Sequence, residues 1–285
     1  MIVAAACWSS GGILVRQLSI VNPWEIVFWR SSFMTLFVAA TLLVMHGRRM
    51  PAQVRAVGFP GALSGLFLAG TFFFFIASLT RTTVANTFVL MSVSPFLAAI
   101  AGRVFLRERV PWRTWVAMAV AFSGILVMFS ESVDGGRLSG NLLALGVSCC
   151  FALNLTMLRR FHARIDMLPT VMLAGLWSLL PAFVLAGPLA ASGRDIAILA
   201  FMGCVQLGTG CLLMTAASRD LSATELGLLA LLEPMLGPIW VWVFLSEAPG
   251  PMALAGGIVV LAAVLANEAF AAFSARTASV GRALS

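Results

Sequence analysis

The chain has 285 residues, of which 61% are hydrophobic and only 10% charged. Soluble domains carry about 25% charged residues, so this composition describes a membrane protein and excludes a soluble domain. The net charge is +7 and all eighteen basic residues are arginine, but they sit mostly in short gaps between apolar runs, a pattern of membrane topology and not of a nucleic-acid face.

Taken in order, ten apolar stretches are long enough to cross a bilayer as helices: residues 1–19, 23–45, 57–79, 83–106, 112–130, 139–158, 167–189, 195–217, 222–245 and 251–273. Weak period-2 patterning argues against an outer-membrane barrel. The first run begins at Met1 without a basic n-region or a small-residue cleavage site, so it reads as a span and not as a cleaved leader. Turn chemistry marks the breaks, among them Asn22-Pro23, Pro111, Asp134-Gly135-Gly136, Ser192-Gly193 and Pro249-Gly250-Pro251. The connections are short, so consecutive helices must form antiparallel hairpins with no room for a soluble domain.

With the N-terminus in the cytoplasm, thirteen arginines fall in inside segments and four (Arg16, Arg81, Arg137 and Arg194) outside, with Arg30 left inside a span. The positive-inside rule therefore predicts both termini in the cytoplasm. Cys7, Cys149, Cys150, Cys204 and Cys211 all lie in apolar runs without zinc or redox spacing and read as small buried hydrophobes. No metal and no cofactor is expected. His46 and His162 lie far apart in sequence, and no catalytic motif or phosphate-binding glycine loop is visible.

The segment Ser94 to Glu108, SPFLAAIAGRVFLRE, returns 139 positions later as Glu233 to Glu247, EPMLGPIWVWVFLSE, with seven of fifteen positions identical and no gap. The chain thus reads as a duplication, with a first five-helix repeat over 1–136, a second over 137–275 and a cytoplasmic tail over 276–285. Five is odd, so the second copy enters the membrane from the opposite side. The predicted fold is an all-α polytopic membrane protein of ten transmembrane helices in two inverted five-helix repeats.

These ten spans, the inverted repeat and the paired S/E-P…F-L-x-E elements resemble the drug/metabolite transporter superfamily in its EamA-type branch. Trp8-Ser9-Ser10-Gly11-Gly12 and Phe28-Trp29-Arg30 also fit, and the resemblance covers essentially the whole chain. It implies a secondary transporter of the bacterial inner membrane, working by alternating access. The small-molecule substrate would be an amino acid or related metabolite, with export of neutral or aromatic amino acids foremost, and transport either proton-coupled or facilitative. Import of other metabolites or amines, a polytopic enzyme and a complex subunit are the alternatives. The partners expected are that solute and the lipid bilayer, with no nucleic acid.

Spans 1, 3, 4, 6, 8 and 9 are expected to enclose the cavity. Trp8, Ser9 and Ser10 offer hydroxyls and an indole N–H, either to a cavity or to small-residue helix packing. Arg30 costs about 2.5–3.5 kcal/mol on insertion scales, so it must meet a cavity, a carboxylate or backbone carbonyls, or snorkel to the headgroups; a substrate carboxylate would suit it. The run Phe72 to Phe75 covers every helix face, and Phe74 stands as the cavity candidate beside Met91 and Leu229. Phe151, Met214, Trp240 and Trp242 add aromatic and thioether surface. Asn86, Asn154, Gln206 and Thr209 are single polar residues that either bond helices together or line the cavity. Glu225, paired with Asn86 by the repeat, suits a helix N-terminus. Glu233 can bind an ammonium, take a proton or bond a neighbouring helix; the resemblance favours a hinge role for its acid-Pro pair. Pro95 and Pro234 are the hinge candidates.

Overall fold

A computed structural model describes residues 1–134, 137–161, 167–217, 229–230, 232–246 and 250–283. Glu225 and Glu247 lie outside them. Among the described residues all regular structure is helical. Ten helices build the bundle: α1 (Ile2–Arg16), α2 (Pro23–His46), α3 (Gly58–Leu79), α4 (Val84–Phe105), α5 (Trp112–Asp134), α6 (Leu138–Phe161), α7 (Met167–Ala186), α8, α9 (Leu232–Leu245) and α10 (Pro251–Ala283); a short helix, Met50–Ala56, joins α2 to α3. α8 is composite: α-helix over Gly193–Phe201, π-helix over Met202–Thr209 and α-helix over Gly210–Ala217. Among the described residues, seven of the ten have the length and hydropathy to cross a bilayer, and the described apolar parts of α1, α5 and α9 are shorter. They correspond to the ten expected spans, of which 222–245 is described only in part, except that α10 continues as helix through Ala283 instead of ending at 273.

Local chemistry explains the helix starts. Asn22 caps α2 by accepting from the Trp24 amide at 3.0 Å, with Pro23 at the first helical position. Thr83 caps α4 through the Asn86 amide at 3.1 Å. Ser192 and Asp195 form a reciprocal capping box on α8. Arg16 closes α3, its guanidinium donating to the carbonyls of Leu79 and Thr82 at 3.1 and 2.9 Å.

The packing obeys a two-fold rule. If each helix of the first five is exchanged for its counterpart five later, the most extensive contacts map onto one another. α2–α7, α4–α9 and α5–α10 map onto themselves, whereas α3–α6 exchanges with α8–α1, α3–α7 with α8–α2 and α4–α6 with α9–α1. The self-mapped pairs run antiparallel. Along α2 and α7, Asn22 bonds Ala186, Ser31 bonds Ser178, and Thr35 touches Gly175. Along α5 and α10, Arg113 meets Phe270, Thr114 meets Asn267, and Gly124 meets Gly256. A two-fold that pairs a helix antiparallel with its own copy lies across the helices, in the membrane plane, which is the inverted repeat. The backbone carries the same mark: Arg107 and Ser246, 139 positions apart, are the positive-φ non-glycine residues among those described, at 57° and 55°.

Lipid tails are as apolar as leucine, so close approach and interhelical hydrogen bonds hold such a bundle together. Gly203 of α8 shows this best: a Cβ there would sit 2.6 Å from the Arg30 carbonyl oxygen and 2.8 Å from the Met34 nitrogen. α8 therefore lies directly on the backbone of α2, at the level of the buried Arg30.

Candidate substrate site

Arg30 is 1% exposed and lies among apolar residues of α2, α3 and α8. Its Nη2 donates to the Phe72 carbonyl at 3.2 Å, and its guanidinium carbon lies 5.5 Å from the Phe72 ring centre and 5.9 Å from that of Phe75. Nε has no hydrogen-bond partner among the described residues, and none of their carboxylates pairs with it. The side chain therefore does not snorkel. It is held by one carbonyl and two ring faces, which attract a cation, and it keeps a donor in reserve.

α8 lies on the backbone of Arg30, and α1 and then α9 pack beyond it. The Gln206 amide donates to the Trp8 carbonyl at 3.0 Å, while its Oε1 lacks a partner. Ser9 Oγ, fully buried, donates to Ala6 and accepts from the Trp240 indole at 2.9 Å. The Trp8 indole lies against Gly210. Gly11 touches both the Gln206 amide and the Phe75 ring, so these groups share one space. Phe75 meets Phe88 of α4 edge-on at 5.7 Å, and Phe88 packs on Gly237 of α9. Glu233 begins α9 half-buried, within electrostatic reach of Cys211 on α8, and makes no hydrogen bond among the described residues. Leu229 is half-buried just before it.

Other candidates lie elsewhere. Phe74 packs flat on Gly146 of α6, away from Arg30; the rings that face the guanidinium are Phe72 and Phe75. Asn86 joins Thr82 and Asn141 in a buried network that ties α4 to α6. Asn154 donates to the Ser64 carbonyl and hydroxyl at 2.8 and 2.9 Å, tying α6 to α3. Ser10 turns back onto the Cys7 carbonyl, at the break between the two halves of α1. The helices meeting at Arg30 thus include α2, which the cavity expectation omits, while the recorded bonds of α6 run to α3 and α4.

Pro95 opens the second half of α4, after a turn at Ser92 and Val93. It lacks the N–H that would reach the Met91 carbonyl. That carbonyl instead accepts from Ser94 Oγ at 2.5 Å and from Ser148 Oγ at 3.3 Å, and Ser148 also reaches the Leu90 carbonyl at 2.8 Å. The carbonyl freed at the break is therefore occupied from its own helix by Ser94 and from α6 by Ser148. Met91 itself is half-buried against the central cluster. Pro234, its counterpart, is buried in α9.

At the α1–α2 end of the molecule the site is covered by two buried carboxylates. Glu25 accepts from the Ala190 and Ala191 amides at 2.7 and 2.8 Å. Asp195 accepts from the amide and hydroxyl of Ser19 and from Ser192. The α1–α2 and α7–α8 connections are thereby tied together. The sequence pointed to Arg30, Gln206 and Ser9 but not to Phe75, this cover or the π-helical turn that carries Gln206. Such turns gather at functional sites, and the three glycines around Gln206 are the signal that could have located it.

Ten helices in an inverted repeat, closing on a buried cation, describe a membrane transporter. The EamA-like transporter family model matches residues 1–130 and 138–267, one copy per repeat, and the chain belongs to that family. Among curated proteins it is similar to pseudopaline exporter CntI of Pseudomonas aeruginosa, at 25% identity over 274 residues in strain UCBPP-PA14 and 26% over 282 residues in strain PAO1. Each alignment covers 93% of both chains. A solved crystal structure shares the fold with a TM-score of 0.66 at 17% identity, over 92% of each chain.

Proposed function

We propose that the chain is a secondary exporter of small amphipathic solutes that carry a carboxylate, with neutral and aromatic amino acids as the smallest members of the class. The observation that carries this reading is Arg30, buried without an acid among the described residues and with Nε unpartnered. A solute carboxylate would complete its hydrogen bonding bidentately, and the Phe72, Phe75 and Trp8 rings would cover the apolar part. The full-length likeness to two proteins named as exporters supports the direction and extends the class to cargo resembling pseudopaline. The arginine distribution supports a bacterial inner-membrane protein with both termini in the cytoplasm.

Counterflow in proteoliposomes tests the reading. A hydrogen bond to a charged group contributes ~1.5–3 kcal/mol, so Arg30→Gln should lower exchange of carboxylate-bearing solutes by ~10–100-fold, with partial rescue by Arg30→Lys. Unchanged exchange in Arg30→Gln would sink the assignment.

A further inference from the structure

We propose that the central site takes an elongated zwitterion, with its carboxylate on Arg30 and its ammonium on Glu233, in preference to a solute the length of an α-amino acid. This rests on the carboxylate reading above and adds the second charge and the distance between the two.

Helix registers set that distance. Glu233 precedes Trp240 by seven residues, so both lie on one face of α9, about 10 Å apart along its axis. Trp240 is pinned to Ser9 of α1 at 2.9 Å. α1 and α9, both odd-numbered in an antiparallel chain, run in the same direction. Two residues beyond Ser9 in that direction, Gly11 touches the Phe75 ring that the Arg30 guanidinium also faces. Glu233 and Arg30 therefore lie on opposite sides of the Ser9–Trp240 level, about 10–15 Å apart.

A charge-assisted hydrogen bond takes up about 2.8 Å at each end, which leaves roughly 5–9 Å between ligand nitrogen and carboxyl carbon. An α-amino acid separates those atoms by two bonds, under ~3 Å. An extended chain advances about 3.3–3.6 Å per residue, so the span suits a molecule of dipeptide to tripeptide length. Between the charges, the unpartnered Oε1 of Gln206 is an acceptor for a donor in the middle of such a ligand. Glu233 is half-buried with no hydrogen bond among the described residues, so its carboxylate is available for the far end.

The test is counterflow with the full chain in proteoliposomes, using glycine, diglycine, triglycine, tetraglycine and N-acetyl-triglycine as probes. Exchange should rise by ~10-fold or more from glycine to triglycine, fall again for tetraglycine, and drop by ~10-fold when the triglycine amine is acetylated. Glu233→Gln should shrink the triglycine-to-acetylated rate ratio from ~10-fold towards 1, which a merely structural role would not do. Glycine exchanging as fast as triglycine, or acetylation without effect, overturns the elongated zwitterion and leaves the carboxylate reading standing. No exchange of any probe by protein that melts cooperatively overturns the carboxylate reading itself.

Discussion

Ser148 is a small residue with a large structural task. Its hydroxyl reaches from α6 to the Leu90 and Met91 carbonyls of α4, the second of which Pro95 leaves without an amide donor. A buried hydrogen bond between helices contributes about 0.5–1.5 kcal/mol, so Ser148→Ala should lower the melting temperature in detergent, whereas Ser123→Ala, on an exposed face, should not. Backbone strain gives a test of opposite sign. Ser246 holds φ of 55°, which costs a side-chain-bearing residue about 1–2 kcal/mol. Ser246→Gly should raise the melting temperature and Ser246→Val should lower it. At this scale the sequence is least informative. It exposed Arg30 as an expensive residue, but a run of four phenylalanines at 100° per residue covers every face, and only packing separates Phe72 and Phe75 from Phe74.

Among the elements, α8 contributes most to the site. Its π-helical segment presents Gln206 to α1, while Gly203 allows the helix to lie on the backbone of α2. A Cβ at 203 would meet main-chain atoms that cannot rotate away, so Gly203→Ala should cost about 1–3 kcal/mol as overpacking and reduce transport with it. Gly193→Ala, where nothing lies within 4 Å, should leave the melting temperature unchanged, and thermal denaturation of the two side by side checks both. The elements themselves were legible because apolar length and turn chemistry are local: Asn22-Pro23 and Ser192-Gly193 begin α2 and α8 as their residue types require. The π-helix was not legible, because its i to i+5 bonding is chosen by the helices packed around it. The length of α10 also escaped the hydropathy pattern, since helix continues past the apolar stretch.

For the whole molecule, the two-fold separates contacts that must change during transport from those that need not. In an inverted repeat the inward- and outward-facing states are related by exchanging the conformations of the two halves. The α2–α7 pair maps onto itself, so its contacts, Ser31 with Ser178 among them, need not change between the two states. The tie between Ser19 and Asp195 maps elsewhere and must break when that end opens. In a background freed of native cysteines, a disulfide joining Ser19→Cys to Asp195→Cys should stop counterflow until it is reduced. One joining Ser31→Cys to Ser178→Cys should leave counterflow near the uncrosslinked rate. Equal inhibition by both would contradict alternating access about this axis.

The way Arg30 is held also bears on how the chain enters the membrane during synthesis. A helix with a central arginine is a poor candidate for release into lipid by itself. Its carbonyl partner and both of its ring faces belong to the very next helix, α3, so α2 and α3 are suited to leave the insertion machinery as a hairpin. The glycine of α8 that closes over the same backbone is made more than a hundred residues later. Until it arrives, α2 carries a charge that only half of its eventual neighbours can shelter, and truncated chains ending before α8 should be the ones that membrane quality control removes.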